Sequence, residues 1–201
     1  MLIDKKLYFS HIPRTGGRHV RHLLINNCNS VEHYSYACFF KHKELPHLTH
    51  REYEEFLEYK IFKKFTIVRD PVDRFISSVQ ANSHFKNITN EGFYSLFKNQ
   101  DSVNCFINKE ISNPLNFGNW FNPQIDFIDF ETKLWNYENK FENSFFEWML
   151  KNFNFEIKNK TTEYSTSKEH DFKRKEQLYL NDTQKAFIKN YYYKDYKILG
   201  Y

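Results

Sequence analysis

The chain has only three cysteines, Cys28, Cys38 and Cys105, among 201 residues. An odd number so far apart excludes a disulfide framework and fits reduced thiols. No apolar run approaches the roughly 20 residues that a membrane-spanning helix needs. The stretch Met1-Leu2-Ile3-Asp4-Lys5-Lys6 lacks the apolar core of a signal peptide. These absences lead to the expectation of a soluble, cytoplasmic protein with no membrane span. No internal repeat and no linker divides the sequence, so residues 1–201 are expected to form a single domain. Strong charge of one sign is also missing. Lys and Arg number 29 against 25 Asp and Glu, a formal charge of +4. That balance suits an anionic ligand and is too small by itself to indicate a nucleic-acid protein, and no nucleic-acid partner is expected. Cys28, His33, Cys38 and His42 are ligand types within one segment, but their spacing lacks the tight cysteine pair of structural zinc sites. An ordinary, partly buried segment is expected there, and no metal.

What the chain does have is an ordinary globular balance, 40% apolar and 27% charged residues, with a high aromatic share of 19%. Leu7 to His11 reads as a buried strand. Gly17 to Asn26 reads as a helix, with Val20, Leu23 and Leu24 at helical spacing. Residues 31 to 48 show no period. Thr49-His50-Arg51-Glu52 is a capping-box pattern that opens a short helix to about Tyr59. Phe65 to Val68 is the best second strand, and Asp70 and Pro71 suit the cap and first position of a helix to about Asn82. One or two short helices are expected over 90 to 112, and a strand or short helix over Gln124 to Phe130. A strand within Lys133 to Phe141 leads into a helix from Asn143 to Phe153. Asn181 opens the last clear helix. Lys158 to Lys175 is polar and charged and reads as a mobile loop. Strand and helix alternate at the start, which points to an α/β fold with a central parallel sheet flanked by helices.

Two turns at the carboxyl ends of strands carry the chemistry. In the first, Ile12-Pro13-Arg14-Thr15-Gly16-Gly17-Arg18-His19, a strand passes through glycines into a helix. Such a turn makes an anion cradle of backbone N–H groups and helix dipole. It is not a Walker A motif, because no glycine stands six residues before a Lys-Ser/Thr pair. The second is Arg69-Asp70-Pro71-Val72-Asp73-Arg74-Phe75-Ile76-Ser77. Here Arg69 can fork a phosphate and Ser77 can donate a hydroxyl. The plainer alternative has Asp70 as a cap only and Arg74 paired with Asp70 at i,i+4. If the two strands are neighbours, both turns open on one crevice.

Together the two turns resemble the 5′-phosphosulfate loop and the 3′-phosphate motif of sulfotransferases that use PAPS, 3′-phosphoadenosine 5′-phosphosulfate. The closest group is the carbohydrate sulfotransferases that include heparan sulfate 2-O-sulfotransferase and its small bacterial relatives. Asn122-Pro123-Gln124, Tyr137-Glu138-Asn139 and the final Tyr192 to Tyr201 are also similar to family segments. The chain departs from the family pattern at Arg14, where lysine is usual, and at Arg18-His19, where Thr-Ser is usual.

The resemblance implies a P-loop-like three-layer fold and transfer of a sulfuryl group from PAPS to a hydroxyl, on a carbohydrate or other acceptor. It implies that Arg14, Thr15, Gly16, Gly17, Arg18, His19, Arg69 and Ser77 hold the cofactor, with Lys168 and Arg174 covering it from a basic loop. Arg14 would act on the leaving phosphate. A histidine base lies about twenty residues before the 3′-phosphate arginine in that family, and His47 stands at that interval. His50 is its near competitor, and His11, His19 or a carboxylate are further alternatives. Trp120 and Trp135 are candidates for stacking on sugar rings. The rival readings are a nucleotide-dependent kinase and a non-catalytic nucleotide- or glycan-binding protein on the same fold.

Overall fold

A computed structural model describes residues 1–57, 63–82, 89–115, 117–160 and 178–201. In chain order the strands and α-helices are β1 (Leu2–Ile3), β2 (Leu7–Ser10), α1 (Gly17–Ile25), β3 (Val31–Glu32), β4 (Phe39–Phe40), β5 (Lys43–Glu44), α2 (His50–Phe56), β6 (Lys63–Val68), α3 (Pro71–Ala81), α4 (Asn90–Leu96), α5 (Gln100–Ser112), β7 (Lys133–Asn136), α6 (Asn143–Phe153), α7 (Asp182–Tyr191) and α8 (Tyr193–Leu199). Short 3₁₀ turns lie at Leu45–His47, Gln124–Phe127 and Tyr137–Asn139.

The main sheet runs β3-β1-β2-β6-β7. Its centre matches the expectation: β2, β6 and β7 are parallel, with Phe9 beside Phe65 and Ile67 beside Trp135. The sheet as a whole is mixed, because β1 runs antiparallel to both β2 and β3. A two-residue strand such as Leu2–Ile3 is too short to show a period of two, so no pattern announced it. The second departure is in residues 31–48, where β4 and β5 pair as a small antiparallel ladder.

Alternation along the strands sends side chains to both faces. Leu7, Phe9, Phe65, Ile67 and Trp135 pack with Val20, Leu23 and Leu24 of α1 and with Phe145, Met149 and Phe153 of α6. On the opposite face Tyr8 stacks on Tyr53 of α2 at 3.6 Å between ring centres. Nearby, Val68 and Ile12 meet Phe127 and Leu199 of α8. Each fully buried Phe of this kind is worth about 1.5–3 kcal/mol relative to leaving it exposed. A third apolar cluster, around Phe75, Phe97, Phe121 and Tyr192, joins α3, α4, α5 and α7 behind the second turn.

The helix starts are set by local chemistry. Thr49 and Glu52 form the expected capping box of α2, and Asn181 and Gln184 do the same for α7. Asp70 accepts from the N–H groups of Val72 and Asp73, with Pro71 at the first position of α3. Helix α2 ends at Phe56, with Leu57 already extended; Glu58 and Tyr59 of its expected span lie outside the described residues, as do Lys168 and Arg174 of the expected basic loop.

A cationic cleft at the ends of two parallel strands

Because β2 and β6 are adjacent and parallel, the turns that follow them open on the same edge. The first turn is drawn tight by Thr15, whose buried hydroxyl donates to the Ile12 carbonyl at 2.9 Å. Its side chain therefore faces inward, and Thr15 is fully buried and not among the residues that line the cleft. Arg14 and Gly16 both adopt left-handed backbone conformations, at φ 69° and 85°. A Cβ on Gly16 would lie 2.9 Å from the rings of Tyr137 and Phe141, and one on Gly17 would lie 1.9 Å from Cδ2 of His11. The two glycines thus let the turn pass beneath aromatic side chains. Gly17→Ala is expected to lose about 1–3 kcal/mol of stability through this overlap. It would be read as a lower urea midpoint at unchanged slope; an unchanged midpoint would show that His11 moves aside freely.

No side chain caps α1. The first N–H groups of a helix have no intrahelical acceptor, and here that end carries the positive pole of the helix toward the cleft lined by Gly16, Gly17 and Arg18.

The second turn faces it. The guanidinium of Arg69 lies over the Tyr137 ring at 4.7 Å and donates to the Arg14 carbonyl at 3.4 Å. Arg14 donates through Nε to the Ser77 hydroxyl at 3.0 Å, and its guanidinium carbon is 5.8 Å from the centre of the Trp120 ring. Arg14, Arg18, Arg69 and Ser77 all line one cleft of about 860 Å³. Among the described residues no carboxylate lies within ion-pair distance of any of the three arginines. Burial, with Arg18 and Arg69 close by, brings Arg14 down to about 10, so it remains charged at neutral pH. Three cations thus gather in one cleft without a directly paired carboxylate, although Glu44 and Glu110 also line it, and the cluster favours an anionic ligand.

Backbone clasps hold these groups in place. Gln124 accepts from the Arg69 N–H at 3.0 Å and donates to the Arg69 carbonyl at 2.7 Å. Asp195 of α8, itself buried, accepts from the N–H groups of Gln124 and Ile125 at 2.9 and 3.1 Å. Arg74 does not pair with the Asp70 carboxylate. It is buried, and its fork donates to the carbonyls of Pro13 (3.1 Å), Asn122 (2.9 Å) and Trp120 (3.1 Å). Three inward-facing carbonyls from two loops outcompete one half-buried carboxylate at the helix cap, which is occupied in capping and by the Tyr196 hydroxyl. Arg74 thereby ties the first turn to the loop that carries Trp120.

His47 closes the other side of the cleft. It is buried, and its Nδ1–H donates to the Glu44 carboxylate at 2.7 Å. Its backbone carbonyl accepts from Asn119, which also donates to Glu52. The His47 ring meets His11 edge-on at 4.7 Å and Tyr36 at 5.2 Å. The Tyr36 hydroxyl lies 3.5 Å from Nδ1 of His11. Burial pushes His47 below the usual histidine range, with Glu44 opposing that shift and Arg18 adding to it. His11 is pushed down further, by burial first and by His47 next. Both rings are therefore neutral at pH 7.

The other candidates separate cleanly. His50 is turned toward Glu54 at 3.3 Å and Asp129 at 3.8 Å, away from the cleft. His19 stacks on Phe141 at 5.1 Å and is not among the cleft-lining residues. Trp120 lines the cleft, whereas Trp135 is buried in the core and donates to the Lys140 carbonyl. Cys28, His33, Cys38 and His42 do not assemble; among the described residues no group of three or more His, Cys, Asp or Glu could hold a metal ion. Glu44, Tyr36, and Leu115, Phe117 and Gly118 on the loop before Trp120 also line the cleft. They come from segments without a period or motif, so the sequence did not single them out. Comparison of the chain with family models, with curated proteins and with solved structures gives no match.

Proposed function

We propose that the protein transfers a sulfuryl group from PAPS to a hydroxyl acceptor, a carbohydrate by the resemblance of its motifs. The observation that carries this reading is the meeting of two phosphate-type turns in one cleft, with a neutral histidine on the facing wall. The cleft suits the cofactor chemically. It offers an uncapped helix end, three arginines without a carboxylate partner, and a volume in the range of small-molecule sites. In this reading the strand, turn and α1 act as a P-loop-like unit for the 5′ end, and Arg69 and Ser77 take the 3′-phosphate.

When bound, PAPS would supply an activated sulfur whose bond to the 5′-phosphate breaks as the acceptor oxygen bonds to it. Arg14 meets the charge that builds on the departing phosphate oxygen, and its tie to Ser77 fixes the direction of its fork. His47, with Nδ1–H committed to Glu44, receives the acceptor proton at Nε2. Positioning and charge stabilisation do the remaining work, as in phosphoryl transfer.

Calorimetry with 3′-phosphoadenosine 5′-phosphate and with ATP tests the cofactor. The bisphosphate is expected to bind, and Arg69→Ala to weaken it about 10- to 100-fold, the loss of one charge-assisted contact. Binding of ATP with no binding of the bisphosphate would replace this reading with the kinase one. Binding without transfer of label from radiolabelled PAPS to any member of a glycan panel would favour a binding protein.

A further inference from the structure

We propose that Glu44 is the positioning residue of the cleft: its carboxylate fixes His47 as the Nδ1–H tautomer, aims Nε2 into the cleft and stabilises the imidazolium that forms when a proton arrives. What that proton comes from rests on the sulfuryl-transfer reading. The hold on His47 rests on geometry alone.

The carboxylate oxygen lies 2.7 Å from Nδ1, and the His47 side chain is only 7% exposed against 22% for Glu44. A buried imidazole with one nitrogen bound to a carboxylate has its tautomer settled by that bond. Glu44 is itself held firmly. It pairs with Phe39 across the β4–β5 ladder, its N–H donates to the Phe117 carbonyl at 2.8 Å, and the next residue, Leu45, donates to Cys38 at 3.0 Å. Glu44 and His47 stand only three positions apart, and the 3₁₀ turn at Leu45–His47 folds the carboxylate and the ring onto each other. Gly118 approaches the same nitrogen, since a Cβ there would lie 3.0 Å from His47 Nδ1.

The other charged and titratable groups around His47 are His11 at the end of β2, Tyr36 before β4, Arg18 on α1 and the Met1 amino group. Of the groups that act most on its protonation, Glu44 favours the protonated ring, and Arg18 and the Met1 amino group oppose it. Removing the Glu44 charge therefore has a fixed sign. The imidazolium becomes harder to form, and the titration of His47 moves to lower pH.

Glu44→Gln keeps the size and a hydrogen-bonding oxygen while removing the charge. Long-range ¹H–¹⁵N spectra of histidine-labelled protein, without cofactor, should show His47 as the Nδ1–H tautomer in the wild type. In Glu44→Gln the midpoint should fall by about 0.5 pH unit or more. With PAPS and an acceptor, kcat should drop about 10- to 100-fold at unchanged KM for PAPS, and the acidic limb of the rate profile should move to lower pH. A structural role alone would lower stability and leave the midpoint and the limb where they were. An unchanged tautomer and midpoint in Glu44→Gln would overturn the proposal. Failure of the bisphosphate to bind would overturn the sulfotransferase reading and leave the spectroscopic result standing.

Discussion

Arg74→Ala is expected to lower folding stability by about 3–5 kcal/mol, the largest loss among single changes near the cleft. Arg74 is 1% exposed, and its guanidinium serves three carbonyls. A hydrogen bond from a charged donor contributes about 1.5–3 kcal/mol net, and a buried carbonyl left without a donor costs about 1–3 kcal/mol. These quantities share one side chain and do not add in full, which sets the range. Arg74→Lys should recover less than half of the loss, because a single ammonium cannot reproduce a planar fork that addresses Pro13, Trp120 and Asn122 at once. Urea unfolding of both variants measures this. A loss below 1 kcal/mol in Arg74→Ala would mean that the two loops hold each other without the strut.

His47→Ala is the second large effect. Turnover should fall about 10³-fold, the weight of a general base, while affinity for the bisphosphate stays within about twofold. The two readouts separate because His47 is held by Glu44 and Asn119, whereas in the proposed reading the phosphates are met by the two arginine turns. Equal turnover would move the base to another group, with His11 next in line by proximity. The pH dependence has a definite sign. Burial holds both His11 and His47 below the unfolded value of about 6.5. The unfolded chain therefore binds protons more readily than the folded one below that pH. The stability linked to these rings is fully present above about pH 6.5 and is lost as pH falls through the folded values. His47→Ala should flatten part of that acid loss.

The parts of this molecule that could be read in advance are those governed by neighbours in sequence. Thr49 with Glu52, Asp70 with Pro71, and Asn181 with Gln184 each settle a helix start within four residues. The two cationic turns were visible for the same reason, and the adjacency of Phe65–Val68 with Leu7–Ser10 then brought them together. What stayed hidden depends on distant partners. Local spacing pointed Arg74 at Asp70, but the side chain went to carbonyls 46 to 61 residues away. Glu44 and Tyr36 lie in a segment with no hydrophobic period, whose small ladder is fixed by contacts with the Phe117 loop. The antiparallel β1 was silent because two residues cannot display an alternation. Four histidines, His11, His19, His47 and His50, were candidates by type and position, and burial together with a carboxylate neighbour distinguishes His47 among them.

The clasp on Arg69 has a consequence for how the protein comes into being. It runs from β6 through Gln124 to Asp195 of α8, across sequence separations of 55 and 71 residues. The Arg14–Ser77 tie spans another 63. Loops of this length must be closed before their contacts return any free energy, so they form after local turns and helices. A nascent chain that has emerged only as far as α7 already carries both arginine turns, yet its Arg69 backbone lacks the support that Asp195 gives through Gln124. Ligand binding at the two arginine turns is therefore expected only once α8 has docked.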